Sequence, residues 1–168
     1  MTEIQHHSIC AIQLPSGKYY AGDKRGEILE TRIFAYACLF RNSESAKKEL
    51  SSFKKETKLI KHTRIALQDL EGNDSHPKLP DGVEVERGYV VGYGYKAKKY
   101  SDEIHPHLRG KDGTTNFLYG IQRFIPTKEE AVELAKKEEK ILFEREMVRY
   151  PCYVIEVITI EEEVEVNE

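Results

Sequence analysis

Residues Ile121 to Tyr153 constrain the fold of this chain more than any other stretch, because they read as strand, capped helix and strand in succession. Phe124-Ile125-Pro126 leads into Thr127-Lys128-Glu129-Glu130, a Thr-x-x-Glu capping box whose side chains satisfy orphan amides at a helix start. The helix is therefore predicted to begin at Thr127. Ala131, Leu134, Ala135, Glu138, Ile141 and Leu142 follow at three- and four-residue steps, with Lys136, Lys137 and Glu139 on the other face. Such an apolar stripe requires a sheet to cover. Pro151 is expected to end the helical run, and the β-branched segment from Cys152 to Ile160 supplies a strand.

The rest of the chain reads as strands around a second helix. Ile9 to Leu14 and Lys18 to Ala21 form a hairpin across Pro15-Ser16-Gly17, and Gly22 to Gly26 is the next turn. Residues 28 to 40 fit either an extended strand or a short helix leading into one. Asn42 or Ser43 caps a helix whose apolar positions Ala46, Leu50 and Phe53 continue toward Thr57 and Ile60. His62 to Leu70 alternates as another strand. Val83, Val85, Tyr89, Val91, Tyr93 and Tyr95 alternate as a strand with one packed face, while Val90, Gly92 and Gly94 leave a shallow floor on the other.

The expected class is α+β, with mainly antiparallel sheet, one amphipathic helix per half, and a repeated β-β-(β)-α-β pattern that raises an internal duplication. Residues 1–71 make the first unit, 72–82 a linker or long loop, and 83–168 a second unit with a polar loop at 96–116 and an acidic C-terminal tail.

Charge and composition narrow the functional classes. Residues 1–80 carry 13 basic and 10 acidic side chains and the remainder 13 and 19, so a net charge of −3 divides into +3 and −6. No apolar run approaches the roughly eighteen residues that a membrane helix needs, and Cys10, Cys38 and Cys152 sit apart among apolar neighbours; a cytoplasmic protein without a membrane partner is expected. Gly-x-Ser-x-Gly, a Walker loop and a Cys-x-x-Cys pair are all absent, which sets nucleophilic catalysis aside, and nothing calls for a cofactor.

Two chemistries remain, both in residues 93–111. Tyr93, Tyr95, Lys96, Lys98, Tyr100, Arg109 and Lys111 interleave rings with cations, a set suited to a protein partner or to phosphates and stacked bases. His105 and His107, stiffened by Pro106 and preceded by Asp102 and Glu103, fit two ligands of a divalent metal or an acid/base pair, without a third ligand at a recognisable spacing.

The pattern Ile12-Gln13-Leu14-Pro15-Ser16-Gly17-Lys18-Tyr19-Tyr20-Ala21-Gly22, with Leu39-Phe40-Arg41-Asn42-Ser43-Glu44-Ser45-Ala46, resembles small accessory proteins of bacteriophages and mobile elements over about a third of the chain. The resemblance implies a setting in the host-cell cytoplasm as a modulator or inhibitor of a host or defence macromolecule. It transfers no catalytic residue. The sequence reading is thus a non-enzymatic binding protein that occupies a surface through Tyr93, Tyr95, Tyr100, His105, His107 and Arg109. Its alternative is a nucleotide- or nucleic-acid-handling enzyme or binder using the same loop.

Overall fold

In the computed structural model, the described residues are 2–51, 53, 56–68, 79–93, 107–115, 121, 123–147 and 151–165. Among them lie eight strands, two α-helices and one 3-10 turn. In chain order these are β1 (Thr2–Gln13), β2 (Tyr19–Lys24), β3 (Glu27–Thr31), the 3-10 turn Phe34–Tyr36, α1 (Ser43–Leu50), β4 (Lys58–Gln68), β5 (Val83–Tyr93), β6 (His107–Arg109), β7 (Thr114–Thr115), α2 (Lys128–Glu146) and β8 (Cys152–Val164). The sheet order is β3-β2-β1-β4-β8-β5-β6-β7. Pairings β1–β2, β2–β3, β5–β6 and β6–β7 are antiparallel. The fold is α+β, with a helix in each half of the sequence.

Both helices begin where side-chain caps place them. The Thr127 hydroxyl accepts from the Glu130 amide at 3.2 Å, and the Asn42 side chain accepts from the Ser45 amide at 2.8 Å. Their ends differ from the expectation. Helix α2 stops at Glu146 because Met147 turns left-handed (φ 57°) and donates its amide to the Phe143 carbonyl, so Pro151 merely precedes β8. Helix α1 stops at Leu50 instead of running through Phe53 to Ile60. Thr57, Ile60, Thr63 and Ile65 are β-branched, and Ile60, Thr63 and Ile65 belong to β4, where such side chains fit the pleat better than a helix.

Contacts divide the chain into two compact units, each discontinuous in sequence. One comprises Met1–His7, Arg64–Pro80 and Glu84–Thr159; the other comprises Ser8–Thr63, Asp81–Val83 and Ile160–Glu168. The sequential halves 1–71 and 83–168 do not describe this division. Strands β1, β4 and β8 have 12, 11 and 13 residues, and each contributes to both units.

The unit built from Ser8–Thr63 packs Cys10, Ile12, Leu14, Tyr20 and Leu59 against Ala46 of α1, with Phe53 edge-on to Tyr20 at 4.9 Å. The other unit has two apolar clusters. Ala66, Val90, Leu108, Ile121, Ile155 and Val157 form one, while Val91 and Ile125 meet Ala131 and Ala135 of α2 in the second. Val90 and Val91 are consecutive and both fully buried, so β5 is covered on both faces at this point, contrary to the single packed face expected. Nor is Gly92 a shallow floor. A Cβ there would meet Ile155 Cδ1 at 2.6 Å and the Tyr153 ring at 2.8 Å, because those side chains already fill the space.

The charges buried with these clusters are paired. The Arg64 guanidinium donates to the Ile121 carbonyl at 2.7 Å and lies 4.8 Å over the Phe124 ring. Glu156, nine-tenths buried, is held by Arg87, which also grips Glu84 at 2.6 Å.

Candidate functional site

The residues expected to form a site fall in and around β5 and β6. Tyr93 closes β5 and stands opposite His107 at the start of β6, and Arg109 stands opposite Val91. Thus β6 and β7 occupy part of the stretch read as a polar loop at 96–116. The Arg109 guanidinium is engaged by Glu138 of α2 at 3.2 Å, with its Nε buried. Exposed Lys111 donates its amide to the Arg123 carbonyl at 2.9 Å. Tyr95, Lys96, Lys98, Tyr100 and His105 lie outside the described residues, as do the side chains of Tyr93 and His107. No group of three or more His, Cys, Asp or Glu among the described residues is placed to hold a metal ion. No described helix is long and apolar enough to cross a membrane.

Exposed large apolar side chains among the described residues lie at the start of β5 (Val83, Val85), late in and just after α2 (Ile141, Phe143, Met147), and on β3 and the 3-10 turn after it, where a groove adjoins the strand. Arg25 (φ 53°) and Gly26 (φ 81°) are both left-handed, the signature of a two-residue type I′ loop, and Lys24 pairs with Glu27 across it. The turn expected over Gly22 to Gly26 is therefore only two residues long. Gly22 instead sits in β2 at a bulge, with φ 111°, where the register slips between Tyr20 and Gly22. Beyond β3, the Thr31 hydroxyl accepts from the Ile33 amide at 3.2 Å and the chain tightens into the 3-10 turn, whose last bond runs from the Ala37 amide to the Phe34 carbonyl at 3.1 Å.

That turn is anchored by one side chain. Phe34 stacks face to face on the His62 ring, with centroids 3.5 Å apart and planes 8° from parallel, and Tyr19 meets Phe34 edge-on at 5.3 Å. His62 Nε2 lies 2.8 Å from Glu161 Oε1. The Tyr19 hydroxyl reaches the same oxygen at 3.5 Å. Burial first, and then the Glu161 carboxylate, push the Tyr19 hydroxyl above its ordinary pKa, so it remains a donor at neutral pH. A histidine and carboxylate in contact can exchange protons with a substrate when the ring faces open space. Here Phe34 covers one face of the ring, the side chain is only 13% exposed and Glu161 occupies Nε2, and the group reads as a clamp on the 3-10 turn.

The clamp leaves an apolar surface on the outside. Ile28 and Leu29 are 43% exposed, Ile33 53% and Tyr36 65%. Of these, Ile28 lines an open groove of about 510 Å³, together with Leu14, Pro15, Ser16, Gly26, Glu27 and Glu30. The Ser16 hydroxyl donates to Glu30 Oε1 at 3.3 Å, which joins the β1–β2 turn to the groove wall. Comparison with protein-family models, with curated proteins and with solved structures finds no match.

Sequence reasoning passed over this surface. Its signal was present in Arg25-Gly26 as a two-residue hairpin loop and in the adjacent pair Ile28-Leu29 between glutamates, which places apolar side chains on both faces of a short strand. The clamp had no such signal, since His62 and Glu161 are 99 residues apart.

Of the cysteines, Cys152 has the most perturbed thiol. Burial, followed by the carboxylates of Glu139 and Glu138, pushes its pKa from 9.0 to about 11. The folded protein thus holds the proton more tightly than the unfolded chain. The resulting stabilisation is complete below pH 9.0 and is lost as pH rises through about 11. Alkylation of Cys152 by iodoacetamide, followed by mass spectrometry, is expected to be slow at pH 8 and to rise with an inflection near pH 11. An inflection at or below 9.0 would contradict this environment.

Proposed function

We propose that this protein binds a macromolecule by occupying its surface, without catalysis, and that the segment from Glu27 to Tyr36 is its working face. The observation that carries the reading is the run of Ile28, Leu29, Ile33 and Tyr36, all more than two-fifths exposed on a terminal strand and the rigid turn after it. Scattered exposed apolar residues are ordinary, but four in nine residues, with Ile28 lining a groove and Leu29 on the other face of β3, concentrate exposed apolar area on one terminal segment, as interaction sites do. Tyrosine at such a patch offers a large contact area at small entropic cost. The partner class is a protein. A role as modulator of a host or defence macromolecule rests on the resemblance of the Gly17-Lys18-Tyr19 hairpin and the Phe40-to-Ala46 segment alone.

Site-specific photocrosslinking in cells tests the reading against the 93–111 segment. With p-benzoylphenylalanine placed in turn at Tyr36, at Lys111 and at Lys136 on the exposed face of α2, a discrete adduct is expected from Tyr36 and none from Lys136. An adduct from Lys111 alone would move the working face to the 93–111 segment. Equal adducts from all three would show non-specific contact and overturn the proposal.

A further inference from the structure

We infer that β3 takes up its partner by strand addition, and that the added strand is an extended segment with two adjacent apolar side chains flanked on each side by a cation. This deepens the binding reading and depends on it.

The backbone argument starts from the hairpin loop. A two-residue type I′ loop is flanked by a pair that exchanges both ladder hydrogen bonds, here Lys24 and Glu27. Antiparallel pairs alternate, so Asp23 and Ile28 form a pair without mutual bonds, and Gly22 and Leu29 a bonded one. The bulge inserts its extra residue into β2, leaving the alternation along β3 intact. The amides and carbonyls of Ile28 and Glu30 therefore point away from β2. Because β3 is the last strand of the sheet order, they point along an edge that no other described strand covers. Natural edge strands are commonly protected by lysine, by proline or by an inward charge. Strand β3, Glu27-Ile28-Leu29-Glu30-Thr31, contains neither lysine nor proline and its bulge lies in its neighbour; its protection is its five-residue length and the exposed carboxylates of Glu27 and Glu30, which repel an acidic strand and attract a cationic one.

Side chains then specify the occupant. Ile28 and Glu30 share one face of the strand, and both line the groove. The charged groups of the groove lining are the carboxylates of Glu27 and Glu30, with no lysine or arginine among the lining residues. An incoming strand with lysine or arginine opposite Glu27 and Glu30, three positions apart, and two adjacent apolar residues opposite Ile28 and Leu29 would pair a cation with each carboxylate and an apolar side chain with each exposed aliphatic one. A second copy of β3 fits less well. Antiparallel pairing about Leu29 would set Glu30 opposite Ile28 and Glu27 opposite Thr31, leaving four carboxylates along one two-stranded seam with no cation to pair them.

The test uses the full-length, isotope-labelled protein and two capped heptapeptides, one with a central Lys-Val-Val-Lys and one with a central Glu-Val-Val-Glu. The lysine peptide is expected to shift the amide signals of Ile28 and Glu30 and to slow their exchange with solvent, and the glutamate peptide to bind at least about tenfold more weakly. Ile28→Pro removes an outward amide at a position where an edge strand tolerates proline, so it should keep the melting temperature and weaken the lysine peptide about tenfold. The double variant Glu27→Lys with Glu30→Lys alters only exposed side chains and should reverse the preference between the peptides. Unchanged affinity in Ile28→Pro, or a wild-type preference for the glutamate peptide, would overturn strand addition. So would a wild-type dimer in sedimentation that Ile28→Pro dissociates, which would assign the edge to a second copy. If neither peptide perturbs β3 while the crosslink at Tyr36 persists, strand addition fails and the binding reading stands.

Discussion

Ile155→Ala is expected to lower the free energy of unfolding by about 2–5 kcal/mol, measured by urea titration. Ile155 is fully buried at the centre of the cluster formed by Ala66, Val90, Leu108, Ile121 and Val157. Removing three carbons there leaves a cavity that flanking strands cannot close without breaking ladder bonds. The neighbouring glycine offers a sharper version of the same test. Gly92→Ala alone should cost about 1–3 kcal/mol, because its new methyl would meet Ile155 Cδ1 at 2.6 Å and Tyr153 at 2.8 Å. Ile155→Val deletes that Cδ1 and should by itself cost about 0.5–1.5 kcal/mol. Combined, the two changes should cost less than their sum by at least about 0.5 kcal/mol, since the alanine methyl enters the space the valine vacates. Additive costs would mean that Tyr153, not Ile155, decides the fit at Gly92.

The second large effect is expected at the clamp. His62→Ala removes the stack under Phe34 and leaves Glu161 without its 2.8 Å partner, a loss of about 1–3 kcal/mol. Its local consequence separates it from any other cavity. The Ala37 amide, bonded to the Phe34 carbonyl, should lose protection from hydrogen exchange, while amides of α2 in the other unit change only with global stability. His62→Phe keeps a ring under Phe34 and should preserve the Ala37 protection, even though Glu161 loses its bond to the ring. Unchanged Ala37 exchange in His62→Ala would show that the turn holds itself. If the turn is released, Ile33 and Tyr36 lose their fixed placement, and binding at the proposed face should weaken with it.

These predictions depend on features of unequal legibility. Local chemistry was readable: the capping threonine at 127, the asparagine at 42, the Pro15-Ser16-Gly17 hairpin and the β-branched run from Cys152 act within a few residues of themselves. Where a local rule met a competing neighbour, the reading failed. Helical spacing carried α1 on to Ile60, but Ile60 is buried in β4, because burial between strands outweighs a weak helical preference. The glycine floor at Gly92 likewise looked open until Tyr153 and Ile155 were seen to fill it from a strand some 60 residues later.

The sequence by itself determined the α+β class, the start of both helices and the hairpin at the N-terminal end, since each follows from propensity, capping and periodicity over a short span. Only the tertiary structure decided that β3 ends the sheet, that Phe34 lies on His62, and that Glu161 closes the group. The physical reason is range. Periodicity records which face of an element is apolar, but strand order and side-chain contacts across 99 residues depend on how all the long strands pair at once, and no local pattern encodes that choice.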